Sequence, residues 1–257
     1  MLKHRVIPAL LVRDGGLVKT QKFGKHKYIG DPINAIRIFN EKEVDELVLL
    51  DIDASRQSRE PDYALIESIA AECFMPLGYG GGISTIEQAR RIFSSGVEKV
   101  VLQTSALQTP ELVTEIAQRF GSQSVVVSID IKRDWLGRYR LWSSSSRRAL
   151  SVDWLETLKS VVAAGAGEVL LNSVDRDGMQ QGYDLRLIKA AADAVDVPLI
   201  ALGGAAELGH FVEAIEAGAS AVAAGSLFVL QGPHRAVLIS YPNYSELESI
   251  FRGKDVS

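Results

Sequence analysis

The chain has 257 residues, of which 47% are hydrophobic and 23% charged, and its formal net charge is −4. These proportions exclude a disordered or collagen-like chain, allow a large buried core, and argue against bulk attraction to nucleic acid. The single cysteine, Cys73, excludes an internal disulfide framework and a cysteine-rich metal site; it reads as a small core residue in a reducing cytoplasm.

At the start of the chain, the apolar run Val6–Val12 is short and is followed by Arg13, Asp14 and two glycines, which is not a signal-peptide pattern. No run of about 18 apolar residues follows, so no membrane span is expected. Instead, short apolar runs recur: Val6–Val12, Leu47–Leu50, Met75–Leu77, Val100–Leu102, Ser124–Ile131, Val169–Leu171, Val197–Leu202 and Ala219–Ala224. Each has the length of a strand buried on both faces. Helical patterns lie between most of them, for example from Ile86 to a stop at Gly96, from Asp184 to a stop before Pro198, and from Leu208 to a stop at Gly218. Eight strands alternating with helices over about 250 residues predict a (β/α)8 TIM barrel occupying residues 1–257 as one domain. An open doubly wound sheet is the structural alternative.

The halves of the chain resemble one another. A shift of 122 residues superposes Glu46 on Glu168, Asp53 on Asp175, Gly81-Gly82 on Gly203-Gly204, Gly96 on Gly218 and Thr104 on Ser226. A half-barrel repeat explains this, because four βα units cannot close a sheet and two copies can. A two-fold site suits a ligand with two similar ends.

Active sites of barrels lie at the C-terminal ends of the strands. Gly80-Gly81-Gly82 follows the third run, Gly203-Gly204 the seventh and Gly225-Ser226 the eighth. Glycines let backbone N–H groups approach an anion at a helix start, so two phosphate sites are expected, with Thr104 and Ser226 offering a hydroxyl at each. Asp130 at the end of the fifth run, Asp51 at the end of the second and Asp177-Gly178 after the sixth are candidate proton-transfer groups; each could equally be a helix cap or a loop ion pair. Lys19, after the first turn, could neutralise a substrate phosphate or face solvent. His4, His26, His210 and His234 show no metal-ligand spacing, so neither metal nor cofactor is expected. At the other end of the barrel, Arg5, Glu46, Lys99 and Glu168 each stand at the start of an apolar run and could form one alternating charged ring, which would gate the axis or dock a partner.

Together these segments resemble the cyclase subunit of imidazole glycerol phosphate synthase. The resemblance runs through Arg5-Val-Ile-Pro8, Val18-Lys19, Gly30-Asp31-Pro32, Asp45-Glu46-Leu47, Leu50-Asp51-Ile52, Gly80-Gly81-Gly82-Ile83, Phe120-Gly121-Ser122-Gln123, Asp175-Arg176-Asp177-Gly178, Gly182-Tyr183-Asp184 and Gly203-Gly204-Ala205. It implies a glutaminase docked on the barrel bottom, whose ammonia passes the ring of Arg5, Glu46, Lys99 and Glu168 and travels through the barrel to a bisphosphorylated substrate. It also implies that Gly82, Thr104, Gly178, Gly204 and Ser226 hold phosphate.

The departures matter as much. The family uses one aspartate on strand one and one on strand five. Asp130 matches the second, but Leu11 stands where the first belongs, in Ile7-Pro8-Ala9-Leu10-Leu11-Val12. Leucine carries no proton. After strand five the chain reads Trp142-Ser-Ser-Ser-Ser-Arg147-Arg148 in place of a His-Gly-Gly-Arg-like loop. With Lys19-Thr-Gln-Lys-Phe23, Tyr28-Ile-Gly-Asp-Pro32, Ile38-Phe-Asn-Glu-Lys-Glu-Val-Asp-Glu46 and the tail Gly232–Ile239, the chain is similar to cyclase-like proteins of surface-polysaccharide systems. That likeness implies ammonia supply for converting an acetamido to an acetamidino sugar on a phosphorylated or nucleotide-linked substrate, with a third, amidotransferase-type protein taking part. Two alternatives stay open: a cyclase of histidine biosynthesis, and a non-catalytic ammonia conduit or scaffold.

Overall fold

The computed structural model describes residues 4–232 and 234–252. Both ends of the expected 1–257 domain, and Pro233 of the tail motif, therefore lie outside the described residues.

The barrel strands are β1 (Arg5–Arg13), β2 (Leu47–Asp51), β3 (Leu77–Gly80), β4 (Lys99–Leu102), β5 (Val125–Arg133), β6 (Glu168–Ser173), β7 (Leu199–Leu202) and β8 (Ala221–Ala224). Each pairs in parallel with its neighbour from β1 to β8, and β8 pairs back with β1. These eight strands close on themselves, as the recurring runs predict, so none of the eight is an edge strand. Helices α1 (Pro32–Glu41), α2 (Tyr63–Glu72), α3 (Ile86–Ser94), α4 (Glu111–Phe120), α5 (Trp154–Ala163), α6 (Leu185–Ala192), α7 (Gly209–Glu216) and α8 (Tyr244–Arg252) follow the strands in turn. Sequence sets their ends: Thr85 and Gln88 form a capping box on α3, Asp184 caps α6, and Gly96 takes a left-handed φ of 98° after α3.

Three expectations need correction. The run Met75–Leu77 mostly precedes its strand, which runs Leu77–Gly80. Pro76 has no N–H for the ladder and only accepts, from Leu47 N at 2.9 Å. Glycine then carries the strand for packing reasons: a Cβ on Gly80 would lie 2.8 Å from Val101 O and 2.9 Å from Leu50 Cδ2. Likewise β7 starts at Leu199, not Val197, and β8 at Ala221, not Ala219. The apolar-run rule also passed over the top-face strands Gly16–Thr20, His26–Gly30 and Tyr139–Ser143, because these are partly polar and partly exposed.

Alternation along the strands divides the apolar side chains into two bodies. Val6, Leu10 and Val12 face the helices, while Ile7 and Ala9 face the lumen. With them in the lumen are Val48, Val101, Val126, Leu170, Ile200, Leu202, Ala221 and Ala223, and Leu50 packs against this cluster. The same parity puts Arg5, Glu46, Lys99 and Glu168 one step below that apolar layer. It puts Leu11, Gln103, Ser128, Asp130 and Asn172 above it.

Candidate functional site

The four residues at the bottom of the lumen form a closed ring. Arg5 bonds Glu46 through Nη1 and reaches Glu168 Oε1 through Nη2 at 3.0 Å. Lys99 Nζ closes the ring, 2.9 Å from Glu46 Oε1 and 3.2 Å from Glu168 Oε2. Charges alternate around it, and each carboxylate is shared by two cations. Burial of the Glu46 side chain is nearly complete, at 3% exposure, whereas Arg5 keeps 31% and faces outward. The Arg5 guanidinium is held above its ordinary value: burial lowers it, and the Glu46 and Glu168 carboxylates more than offset that. The sequence expectation of one alternating ring matches this geometry.

At the other end, a cavity of about 200 Å³ opens on the top face. It is lined by all three candidate carboxylates, Asp51, Asp130 and Asp177, and by Lys19, Gly81, Gly82, Thr104 and Leu11. The carboxylates differ in what holds them. Asp51 Oδ1 accepts the N–H groups of Asp53 and Ala54, each at 3.0 Å, and Oδ2 lies 3.5 Å from Arg59, so this side chain shapes its own loop. Asp177 accepts from Thr20 Oγ1 at 3.0 Å. Burial raises its pKa, and the neighbouring Lys19 pulls it back. Asp130 is 5% exposed. Gln103 Nε2 donates to its Oδ2 at 2.6 Å, Ser144 Oγ donates to the same oxygen, and Ser128 Oγ lies 3.2 Å from Oδ1. Burial pushes this carboxyl up to about 6 despite those donors.

Lys19 does not face solvent. It is 6% exposed, donates to Ala9 O at 3.0 Å, and fills the space above Gly225. Burial lowers its pKa, and Asp177 opposes that.

The two glycine clusters occupy separate spaces. Gly81, Gly82 and Thr104 line the large cavity. Gly178, Gly203, Gly204, Gly225 and Ser226 line a recess of about 10 Å³ beside it, which is room for one water. Two of its lining residues are bonded from outside it: Lys22 N donates to Asp177 O at 2.9 Å, and Arg235 Nη1 donates to Gly178 O at 2.9 Å. A phosphate is larger than one water, so binding in the recess requires its lining to open. Repeat-related residues hold equivalent places. Gly81 and Gly82 have φ of 126° and 74°, Gly203 and Gly204 of 98° and 113°, and Thr104 and Ser226 each begin a short helix.

Ser226 Oγ is buried and has no hydrogen-bond partner. An unsatisfied buried hydroxyl costs about 1–3 kcal/mol, which a bound anion would recover. Ser226→Ala is expected to weaken inorganic phosphate binding by about tenfold, while the melting temperature holds or rises. Calorimetric titration and thermal unfolding check both, and a lowered melting temperature would contradict it.

Several residues of the cavity were not among the site candidates read from the sequence: Gln103, Ser128, Ser144 and Asn172 around Asp130, and Arg13, Phe23, His26 and Trp142 on the cavity wall. Counting by twos from Lys99 finds Gln103, and from Glu168 finds Asn172. No comparable signal exists for Phe23 or His26, which the hairpin brings in.

Comparison with known proteins adds the following. The family model described as histidine biosynthesis protein matches residues 5–233. A Pseudomonas aeruginosa protein with the provisional name imidazole glycerol phosphate synthase subunit hisF2 is 55% identical over 249 residues, covering 96% of this chain and 99% of its own. A Leptospira interrogans protein, also provisionally named as the HisF subunit of that synthase, is 51% identical over 98% of this chain and 100% of its own. The imidazole glycerol phosphate synthase subunit HisF of Thermococcus gammatolerans is 44% identical over 89% of this chain and 90% of its own.

Proposed function

The chain belongs to the histidine biosynthesis protein family, and from that premise we propose that it is the barrel subunit of a glutamine amidotransferase, a single unit that receives ammonia at its bottom face and delivers it to the cavity at its top. A class I glutaminase is the donor. The acceptor is a phosphorylated or nucleotide-linked acetamido sugar bound for a surface polysaccharide, converted to its acetamidino form with a third, amidotransferase-type protein.

One observation carries this reading: the axis passes from a closed ring of four charges, through a wholly apolar layer, to a polar cavity. Uncharged ammonia crosses an apolar layer at little cost, whereas an ion would lose its hydration there. Small side chains, Ala9, Ala221 and Ala223, face that layer on adjoining strands. The chemistry at the exit supports delivery more than cyclisation. Leu11 offers no proton, and Asp130 is engaged by Gln103, Ser144 and Ser128.

Lys99→Ala tests the reading. It leaves Glu46 and Glu168 with Arg5 alone, on the exposed side of the ring. With glutaminase and acceptor present, glutamate formation is expected to continue while most of the ammonia escapes to bulk solvent instead of entering product. Measuring glutamate, free ammonia and product together checks this, and an unchanged product-to-glutamate ratio would remove the gate.

The second reading, a cyclase of histidine biosynthesis, is favoured by the 44% identity to the Thermococcus gammatolerans subunit over most of both chains. It is opposed by Leu11.

A further inference from the structure

Three arginines, Arg13, Arg56 and Arg147, line the rim of the top cavity. Their charges are poorly matched. Arg13 and Arg56 share one buried carboxylate, Asp53, with Arg13 Nε 2.9 Å from Oδ2 and Arg56 Nη1 3.4 Å from Oδ1. Asp14 lies 3.5 Å from Arg13 Nε but is 75% exposed, where water screens its charge. Arg147 donates to a neutral carbonyl, Phe23 O, at 3.0 Å. Lys19, by contrast, is matched by Asp177. Three guanidinium groups therefore meet one buried carboxylate at this rim, and the surplus is positive.

Arg13 is placed for a ligand. Its Nη1 donates to His26 Nδ1 at 2.8 Å, since arginine has no acceptor to offer. Its Nε meets Asp53 by charge, without an aligned hydrogen bond. Nη2 lies outside both contacts. Fixing at two points holds the plane of the guanidinium, and a planar fork is the group that takes phosphate oxygens in pairs. Arg56 is held more loosely, with its side chain 43% exposed.

This cluster sits beside the Gly82 turn. Ser55 Oγ accepts from Gly82 N at 3.1 Å, and a Cβ on Gly82 would lie 2.6 Å from Arg59 O. Arg56 is the next residue after Ser55, and Asp53 is within about 7 Å of Ser55 along the chain. A phosphate at Gly82 and Thr104 thus has the Arg13–Asp53–Arg56 cluster at its side.

We propose that Arg13 and Arg56 bind the second phosphoryl group of a diphosphate ester whose first phosphoryl group lies at Gly82 and Thr104. The acceptor is then a nucleoside diphosphate sugar and not a sugar monophosphate: the sugar reaches into the cavity, and the nucleoside points out through the mouth. The inference rests on the reading of this cavity as the acceptor's site and chooses between the two acceptor classes named there. A monophosphate leaves the surplus charge of the rim unpaired, whereas a diphosphate pairs it.

The experiment is calorimetric titration of inorganic phosphate, pyrophosphate, uridine monophosphate and uridine diphosphate into wild type, Arg56→Gln, Arg13→Lys and Arg37→Gln, with melting temperatures recorded. Wild type is expected to bind each diphosphate at least about tenfold more tightly than its monophosphate, the worth of one hydrogen bond to a charged group. Arg56→Gln is expected to cut that contrast to about threefold or less with an unchanged melting temperature. Arg13→Lys keeps a charge beside Asp53 but loses the fork, and is expected to cut it in part. Arg37 pairs with Glu72 and does not line the cavity, so Arg37→Gln is the charge control and is expected to keep the full contrast. Equal binding of the two uridine nucleotides by wild type would overturn the proposal. A contrast that survives in Arg56→Gln would come from ligand charge alone and would overturn it too. Binding of none of the four would overturn it together with the phosphate reading of the Gly82 turn. The expected contrasts, found alongside a product-to-glutamate ratio unmoved by Lys99→Ala, would remove the delivery reading and keep the diphosphate site.

Discussion

Given the bisphosphorylated substrate of the cyclase reaction and ammonium salt at high pH, the wild-type protein is expected to bind the substrate and to turn it over at least about 10²-fold more slowly than a two-aspartate cyclase does. A single positioned acid–base group is worth about 10²–10⁴-fold, and one is missing. Leu11 lines the same cavity as Asp130, and its backbone lies in register with Val18 and Leu50. Leu11→Asp adds a carboxylate there without altering the strand, so it is expected to raise turnover. Steady-state rates for the two proteins, with binding measured separately, are the check. Turnover by wild type at the rate of an ordinary cyclase would make this a histidine-pathway enzyme and leave Leu11 without significance. Failure of the variant alone would place the lost function elsewhere around Asp130, where Gln103 and Ser144 hold the carboxylate oxygen that a proton donor needs free.

Asp130→Asn is expected to stabilise the protein at neutral pH. The Asp130 carboxyl ionises at about 6, against an ordinary 3.8, because burial disfavours its charge. The folded state therefore binds a proton that the unfolded state has already released between these values. Stability from this group is complete below about pH 4 and is lost as pH rises through 6. Two pH units at about 1.36 kcal/mol each amount to about 3 kcal/mol at pH 7.5. The amide of Asn keeps an oxygen for Gln103 and Ser144 and carries no charge, so most of that loss is recovered. Urea unfolding at pH 7.5 is expected to show a gain of about 2–3 kcal/mol, and at pH 4 almost none. A gain of equal size at both values would show that the charge is not its source. A stability cost held at the cavity is common where function needs a strained or buried group.

The barrel was legible because the buried strands repeat one signal, a short apolar run, and most are followed by a helical pattern. Where side chains disappear the signal does too, and β3 shows this: Gly78, Tyr79 and Gly80 form the strand, while the run ended at Leu77. The ring was legible from the position of four charges at strand starts. Asp130 was legible as a carboxylate ending an apolar run. What stayed hidden depends on contacts far apart in sequence. Lys19 and Asp177 meet only because the first hairpin folds over β6, and nothing local to Lys19 indicates burial. The unequal size of the two glycine recesses was equally hidden. Beside the smaller one, Lys22 and Arg235 bond Asp177 O and Gly178 O, an asymmetry laid over a symmetric repeat.

The shared parity of the lumen residues has a genetic consequence. Lys99, Val101 and Gln103 sit on one strand at alternate positions, as do Glu168, Leu170 and Asn172. In each trio a residue of the charged ring, a residue of the apolar layer and a cavity residue are tied to one frame of the pleat. Inserting or deleting one residue at the start of such a strand would turn all three toward the helices at once. The strands can therefore drift by substitution, one position at a time, but not by single-residue length changes. Turns such as Asp134–Arg138, which precedes the strand Tyr139–Ser143, stand outside that frame. Ring and cavity are inherited as a unit, while surfaces outside the lumen can diverge.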